Sequence, residues 1–474
     1  MNQPLHTKQS IMVPMALSVT DAADACRAGR YTAVELAERA LTAAHRFAGT
    51  GFVRLRERGA LSDAAARDDV PTPNALLAGV PFAHKDMFYR AGELTECGSA
   101  ILKGFTPDFT ATVITRLEAA GAVDIGALHM AEFAMSPTGF NAQIGHGRNP
   151  WSDDHVSGGS SSGSGVVTAA RLVSAALGSD TGGSVRIPAA VCGVTGIKPT
   201  QHLVSIHGVM PLSPSLDCVG FLAQTVRDCA KLLSAVSGPD ANDPTCVATG
   251  RQDYEVGIER PLQDGVRLAV PLFDETSPVS AEVRERVEEA ARVFSAAGAV
   301  LLRVPVPNFN DLSALANLVL GAEAASIHQR WLASRADDYG RQVRRRIERG
   351  LLYPATRYID ALRLRPLMLA QFLKQFLPGA DALLLPVLPY AVPSIEETVR
   401  GSEGEIEARF GGFSYWTRGI SYLGLPALAL PAGKTGNGLP CGVQLVGRPF
   451  GEATLFRVGH QYQQRTDWHE QYPV

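Results

Sequence analysis

Two glycine-flanked serine clusters and a lysine are the residues of this sequence best placed to do chemistry. The first cluster reads Gly158-Gly-Ser-Ser-Ser-Gly-Ser-Gly165 and the second Asp180-Thr-Gly-Gly-Ser-Val-Arg186. A Gly/Ser run taken alone reads first as a flexible linker. It reads second as a phosphate cradle, but neither GxxxxGK[ST] nor GxGxxG is present. The third reading is a loop presenting serines ahead of a helix N-terminus, where N–H groups and the positive end of the helix dipole face a developing anion. Context favours the third. The run lies between Asn149-Pro-Trp151 and a strongly apolar stretch, not between two domains. Two Gly-Gly-Ser elements bracketing one helix suggest two serines converging on a single site.

Serine is a weak nucleophile and needs a base. None of the eleven histidines sits in a triad context. His84, His129, His146 and His155 read as structural, and no strand feeds a Gly-x-Ser-x-Gly elbow. Lysine can take the role when burial lowers its pKa. Lys85 follows the apolar run Gly79-Val-Pro-Phe-Ala83, which would carry its ammonium into the interior. Lys198, in Gly196-Ile-Lys-Pro199, is the rival.

The elements that must hold these groups alternate between helix and strand. Residues 18–47 have amphipathic helical spacing. Residues 79–83 read as a strand into Lys85, residues 112–120 as a helix and residues 121–126 as turn and strand. Residues 166–177 read as a buried, nearly all-apolar helix. A helix follows Leu222. Residues 267–272 and 299–305 read as strands around a charged helix at 280–298, and residues 310–376 as a long helical stretch. Strands at 381–387, 426–431 and 443–446 and a helix at 452–465 close the chain. This alternation implies an α/β fold with a mostly buried sheet. The expected organisation is a single domain, 1–474. It has a core at about 75–236, a variable helical region at about 240–380, and core strands and a helix at about 380–465.

Composition limits the function classes. Of 474 residues, 46% are hydrophobic and 19% charged, with a net charge of −3, so no global field favours nucleic acid or a membrane surface. Arg344, Arg345, Arg346 and Arg349 form the one basic run, read as a solvated helix face. Seven scattered cysteines without CxxC argue against a disulfide framework or a zinc ribbon and for a reducing compartment. Residues 11–19 imitate a short signal segment. Only Lys8 is basic before them, however, and Ser18-x-x-Asp21 reads as a helix start, so a cytoplasmic location is expected.

Taken together, these stretches resemble the amidase signature family. The resemblance rests on Gly79-Val-Pro, Lys85-Asp86, Ala131-Glu-Phe-Ala-Met135, Asn149-Pro-Trp151 and both serine clusters. It extends to Gly193, Gly196-Ile-Lys-Pro-Thr200 and Gly447-Arg-Pro-Phe450. It implies a large, mixed, twisted central β-sheet flanked on both faces by helices. It assigns Ser184 as nucleophile, Ser160 as a bridging serine held by a cis peptide, and Lys85 as base. Ser161 becomes a supporting hydrogen-bond partner, and Thr181, Gly182, Gly183 and Ser184 supply the backbone oxyanion hole. Asp180 and Arg186 brace the loop. No cofactor and no metal is implied, and the expected partners are a small-molecule amide and a homodimer mate.

A non-enzymatic scaffold that kept the fold is a third reading, against which the presence of all three relay residues argues, and two functions remain open. One is an amidase releasing ammonia or an amine. The other is the glutamine-hydrolysing component of an Asp-tRNA/Glu-tRNA amidotransferase, which the family closely resembles and which works within a complex. Such a component typically carries an acidic residue in the stretch corresponding to Phe413-Ser-Tyr-Trp-Thr-Arg-Gly-Ile-Ser-Tyr-Leu-Gly-Leu-Pro426. Here none is present. Met135, Tyr415, Trp416 and Arg418 are expected around the substrate, suiting an aromatic, apolar or anionic acyl group. Ser157, where the family commonly has proline, and His129 at the head of His129-Met-Ala-Glu132 are further departures on the substrate side.

Overall fold

The computed structural model describes residues 16–70 and 74–473. Lys8 and most of the apolar stretch at 11–19 lie outside the described residues. Ser18 does cap a helix, accepting a hydrogen bond from the Asp21 N–H.

Thirteen strands are present among the described residues. They are β1 (Phe52–Leu55), β2 (Pro81–Lys85), β3 (Val123–Leu128), β4 (Arg148–Asn149), β5 (Ser152–Val156), β6 (Ala175–Ser179), β7 (Thr195–Lys198) and β8 (Val219–Ala223). The remainder are β9 (Arg267–Pro271), β10 (Val300–Val304), β11 (Ala382–Pro386), β12 (Ala427–Lys434) and β13 (Pro440–Gly447). Eleven form one sheet in the order β1-β3-β2-β6-β8-β7-β12-β13-β11-β9-β10, and β4 and β5 form a separate hairpin. The sheet is mixed. β2 runs parallel to both β3 and β6, β9 runs parallel to β10 and β11, and the pairings from β6 through β8, β7, β12 and β13 to β11 are antiparallel.

Strand side chains alternate between faces with a period of two. On β2, Phe82 and Ala83 enter different apolar clusters, as do Leu177 and Ala176 on β6 and Leu384 and Leu383 on β11. Both faces of the sheet are therefore covered. That is why its central strands read as continuous apolar runs without polar alternation.

Three sequence expectations are corrected. Residues 18–47 form two helices, Val19–Arg27 and Ala33–Arg46, because the chain turns at Gly29, whose φ is +67°. The apolar stretch at 166–177 is not one helix. Helix Ser162–Ala169 ends before Arg171, itself at φ +55°, and Ala175 onwards pairs in β6 between β2 and β8. A buried helix and a buried strand share an all-apolar composition, and only the sheet partners separate them. The stretch at 310–376 is broken into helices Asn310–Arg335, Arg341–Gly350 and Ala355–Phe376. β9 and β10, within the region read as variable, extend the central sheet to its edge. No helix among the described residues is long and apolar enough to cross a membrane.

Candidate active site

Lys85 ends β2 and Ser179 ends β6. The two strands are parallel neighbours, with His84 opposite Leu177, so both residues emerge at the same C-terminal edge of the sheet. Loops beyond such edges are where open α/β sheets place their ligands. Lys85 is fully buried, and its Nζ donates to Ser160 Oγ at 2.7 Å and to Ser179 Oγ at 2.8 Å. Burial lowers its pKa to about 7, against the opposing pull of Asp217 and Asp180. The amine is therefore substantially neutral at physiological pH and able to accept a proton.

The first serine loop is clamped from outside. The Gly159–Ser160 peptide is cis. Gly159 N–H donates to Pro137 O at 2.8 Å, and Ser160 O accepts from Ala131 N–H at 3.1 Å. Ser161 N–H donates to Ser184 O at 3.2 Å, which ties the first loop to the second. Ser161 Oγ bridges the O and N–H of Ser179, both at 3.3 Å. Ser157 N–H donates to Gly147 O at 3.3 Å, a bond that a proline at this position has no N–H to make.

The second loop is shaped by a buried ion pair. Asp180 Oδ1 accepts from Gly183 N–H at 2.8 Å and from Arg186 Nη2 at 3.0 Å, while Oδ2 accepts from Arg186 Nε at 3.0 Å. Burial pushes the Asp180 carboxyl upward, but Arg186, Lys198 and the main-chain donors overcome this and hold it down at about 2. Arg186 also donates to Gln444 Oε1, Thr417 O and Ser421 Oγ, so the loop is pinned to β13 and to helix Tyr415–Tyr422. Gly183 has φ +129°, and a Cβ there would come within 2.2 Å of Thr417 Oγ1. Only glycine fits. Its N–H is taken by Asp180. Among the described residues the N–H groups of Thr181, Gly182 and Ser184 make no hydrogen bond, which leaves three free donors in the turn that carries Ser184.

Ser184 is half-buried and opens into a cavity of about 210 Å³. Met135, Thr181, Gly182, Ile187 and Leu212 line it together with the charged side chains of Arg346, Arg349, Glu407 and Arg418. No hydrogen bond joins Ser160 Oγ to Ser184 Oγ; such links between reacting groups often tighten only when substrate is bound.

The structure brings Lys85, Ser160, Ser161, Asp180, Arg186 and the 181–184 turn together, with Met135 and Arg418 on the cavity. Tyr415 and Trp416 are not there. Trp416 is fully buried among Phe273 and Phe309, and Tyr415 packs against Phe309. On a helix with 100° per residue, Trp416 and Arg418 lie on opposite sides, the first in the core and the second on the cavity. The basic run is likewise more than a solvated face. Arg344 pairs with Asp337 and Glu348, and Arg345 with Glu403, but Arg346 and Arg349 line the cavity. Lys198 points elsewhere, donating to Pro199 O. His84 faces Asp124, and His129 faces Ser162 and Gly145 O.

Ser179 and Glu407 were missed by sequence reasoning. Ser179 immediately precedes the second cluster, and the alternation of β6 could have pointed it toward Lys85. Glu407 carries no signal in sequence. No group of residues suited to a metal ion occurs among the described residues.

The amidase family's sequence profile matches residues 35–456. The A subunit of a glutamyl-tRNA(Gln) amidotransferase from Neisseria meningitidis serogroup C is 38% identical over 475 aligned positions, covering 94% of this chain and 96% of that protein. The solved structure of the A subunit of the Thermotoga maritima glutamyl-tRNA(Gln) amidotransferase is 32% identical with a TM-score of 0.79, covering 97% of each chain. The native peptide amidase of Stenotrophomonas maltophilia is 29% identical with a TM-score of 0.81, covering 95% of this chain and 96% of that one.

Proposed function

The chain belongs to the amidase family of amide-hydrolysing enzymes, and from that premise we propose that it cleaves a carboxylic amide through an acyl-enzyme on Ser184, with Ser160 and Lys85 as its proton relay. The observation that carries this is the contact of 2.7 Å between the fully buried Lys85 amine and Ser160 Oγ, on a loop tied directly to Ser184.

The amide carbonyl carbon sits over Ser184. Neutral Lys85 withdraws the Ser160 proton as Ser160 takes that of Ser184, and Ser184 Oγ bonds to the carbonyl carbon. The oxyanion is met by the N–H groups of Thr181, Gly182 and Ser184, while Asp180 keeps the Gly183 N–H engaged and the turn rigid. One such donor is worth about 3 kcal/mol of barrier. The relay returns the proton to the leaving nitrogen, the C–N bond breaks, and ammonia or an amine departs. Water then gives up a proton to the same relay and bonds to the ester carbonyl carbon; the C–O bond to Ser184 breaks, Ser184 Oγ takes the proton back from the relay, and the acid leaves. Ser179, donating its hydroxyl toward Met87 Sδ, accepts the second Lys85 N–H and orients the amine.

A second reading is favoured by the relatives: the A subunit of a glutamyl-tRNA(Gln) amidotransferase, with glutamine as the amide. One experiment tests both. The purified chain is offered glutamine and a panel of simple amides, with ammonia release and fluorophosphonate labelling of Ser184 as readouts. Labelling together with hydrolysis of non-glutamine amides by the chain alone supports the first reading. Turnover confined to glutamine supports the second. Neither labelling nor turnover would sink the relay.

A further inference from the structure

The cavity's charges do not balance. Glu407 is the only carboxylate among the described residues that line it, and both oxygens are engaged: Oε1 accepts from Arg346 Nε at 3.3 Å and Oε2 from Arg349 Nη1 at 2.9 Å. Arg346 also donates to Met135 O and lies 4.9 Å over the Phe410 ring. Arg418 is different. Its guanidinium donates to Ser414 Oγ, and it makes no ion pair with any carboxylate among the described residues. Burial and neighbouring Arg346 push its pKa down to about 10 against the weaker pull of Glu407, so it remains a cation at neutral pH. Guanidinium has five N–H donors in a planar fork suited to a carboxylate.

Its position is equally specific. A Cβ built on Gly182 would lie 3.7 Å from Arg418 Cγ and 3.9 Å from Nε. The unmatched cation therefore lies against the turn that carries Ser184, on the same cavity. A partly desolvated cation without a directly paired carboxylate is costly, and a ligand carboxylate would relieve that cost.

We propose that Arg418 binds a carboxylate on the acyl side of the substrate, so that the enzyme selects monoamides of dicarboxylic acids over neutral amides. The proposal rests on Ser184 being the nucleophile. An α-ammonium next to that carboxylate would meet two further arginines and a glutamate already paired twice. The preferred acyl group therefore lacks one, and glutaramate is a better substrate than glutamine.

The test compares kcat/KM for ammonia release from malonamate, succinamate and glutaramate with that from neutral amides of matched length and from glutamine. The best monoamide should exceed its neutral counterpart by about 10- to 150-fold, the worth of one hydrogen-bonded charge. Arg418→Met should collapse that ratio toward one, chiefly through KM, and Arg418→Lys should retain part of it. Free glutarate should inhibit the unaltered enzyme competitively and far better than pentanoate, a comparison that stands even if the variants do not fold. Equal use of neutral amides, a preference for glutamine over glutaramate, or equal losses on both substrate classes in Arg418→Met would overturn the proposal. Ser184 that labels with fluorophosphonate without any charge discrimination defeats this inference alone. Ser184 that neither labels nor supports turnover defeats the relay beneath it.

Discussion

At the scale of single residues, the proposed relay turns on the protonation state of one buried amine. Lys85 loses its solvation in the interior, and Asp217 and Asp180 only partly offset that loss, leaving a pKa of about 7. Below that value Lys85 is charged and cannot accept the Ser160 proton. The value of kcat/KM should therefore rise about tenfold per pH unit up to about pH 7 and then level. A rate flat from about pH 5 to about pH 9 would rule out a titrating lysine. Lys85→Ala and Ser160→Ala should each lose about 10²- to 10⁴-fold in kcat, the range for a removed acid–base group. Ser184→Ala should lose on the order of 10⁶-fold while its melting curve stays in place. Single-turnover assays separate these losses from binding defects.

At the scale of elements, the second serine loop depends on contacts outside itself. Gly183→Ala asks an L-residue to adopt φ +129° and drives a methyl into Thr417. Turnover should fall together with thermal stability, whereas damage to the relay alone would spare stability. Arg186→Met leaves the Asp180 carboxylate buried without its partner, which should cost on the order of 3–5 kcal/mol in a denaturant titration. Because that carboxyl is held at about 2, the stabilisation is present above the ordinary carboxylate range and is lost only as pH falls toward 2. Unfolding midpoints followed from neutral pH downward would show it. Helix Arg341–Gly350 does a comparable job at the cavity. Its charge pattern reads as a solvated face, and the pairing of Arg346 and Arg349 with Glu407 is what turns that side inward.

At the scale of the whole molecule, the sheet is not assembled in chain order. β12, β13 and β11 come from the last hundred or so residues, yet they lie between β7 on one side and β9 on the other. A chain ended at residue 380 would expose the edges of β7 and β9 and strip the cover from Arg186, whose partners Gln444, Thr417 and Ser421 would be gone. Such a fragment should aggregate and show no cooperative melting by circular dichroism. A soluble fragment with a sharp transition would mean that the N-terminal part is an independent domain.

By itself the sequence, through its resemblance to the amidase signature family, singled out Lys85, Ser160 and Ser184 as the candidate relay. Lys85, Ser160 and Ser184 lie in stretches whose glycines and apolar flanks are local chemical statements, and strands such as β2 and β11 are legible because burial on both faces leaves them uniformly apolar. The tertiary structure decided what depends on partners distant in the chain. It separated β6 from the helix before it, since hydrogen bonds to β2 and β8, not composition, make those residues a strand. It turned Trp416 into the core and Arg418 toward Ser184, and it spent Glu407 on two arginines from another helix. The charge left unmatched in the cavity is a sum over side chains from separate elements, and no single stretch of sequence carries that sum.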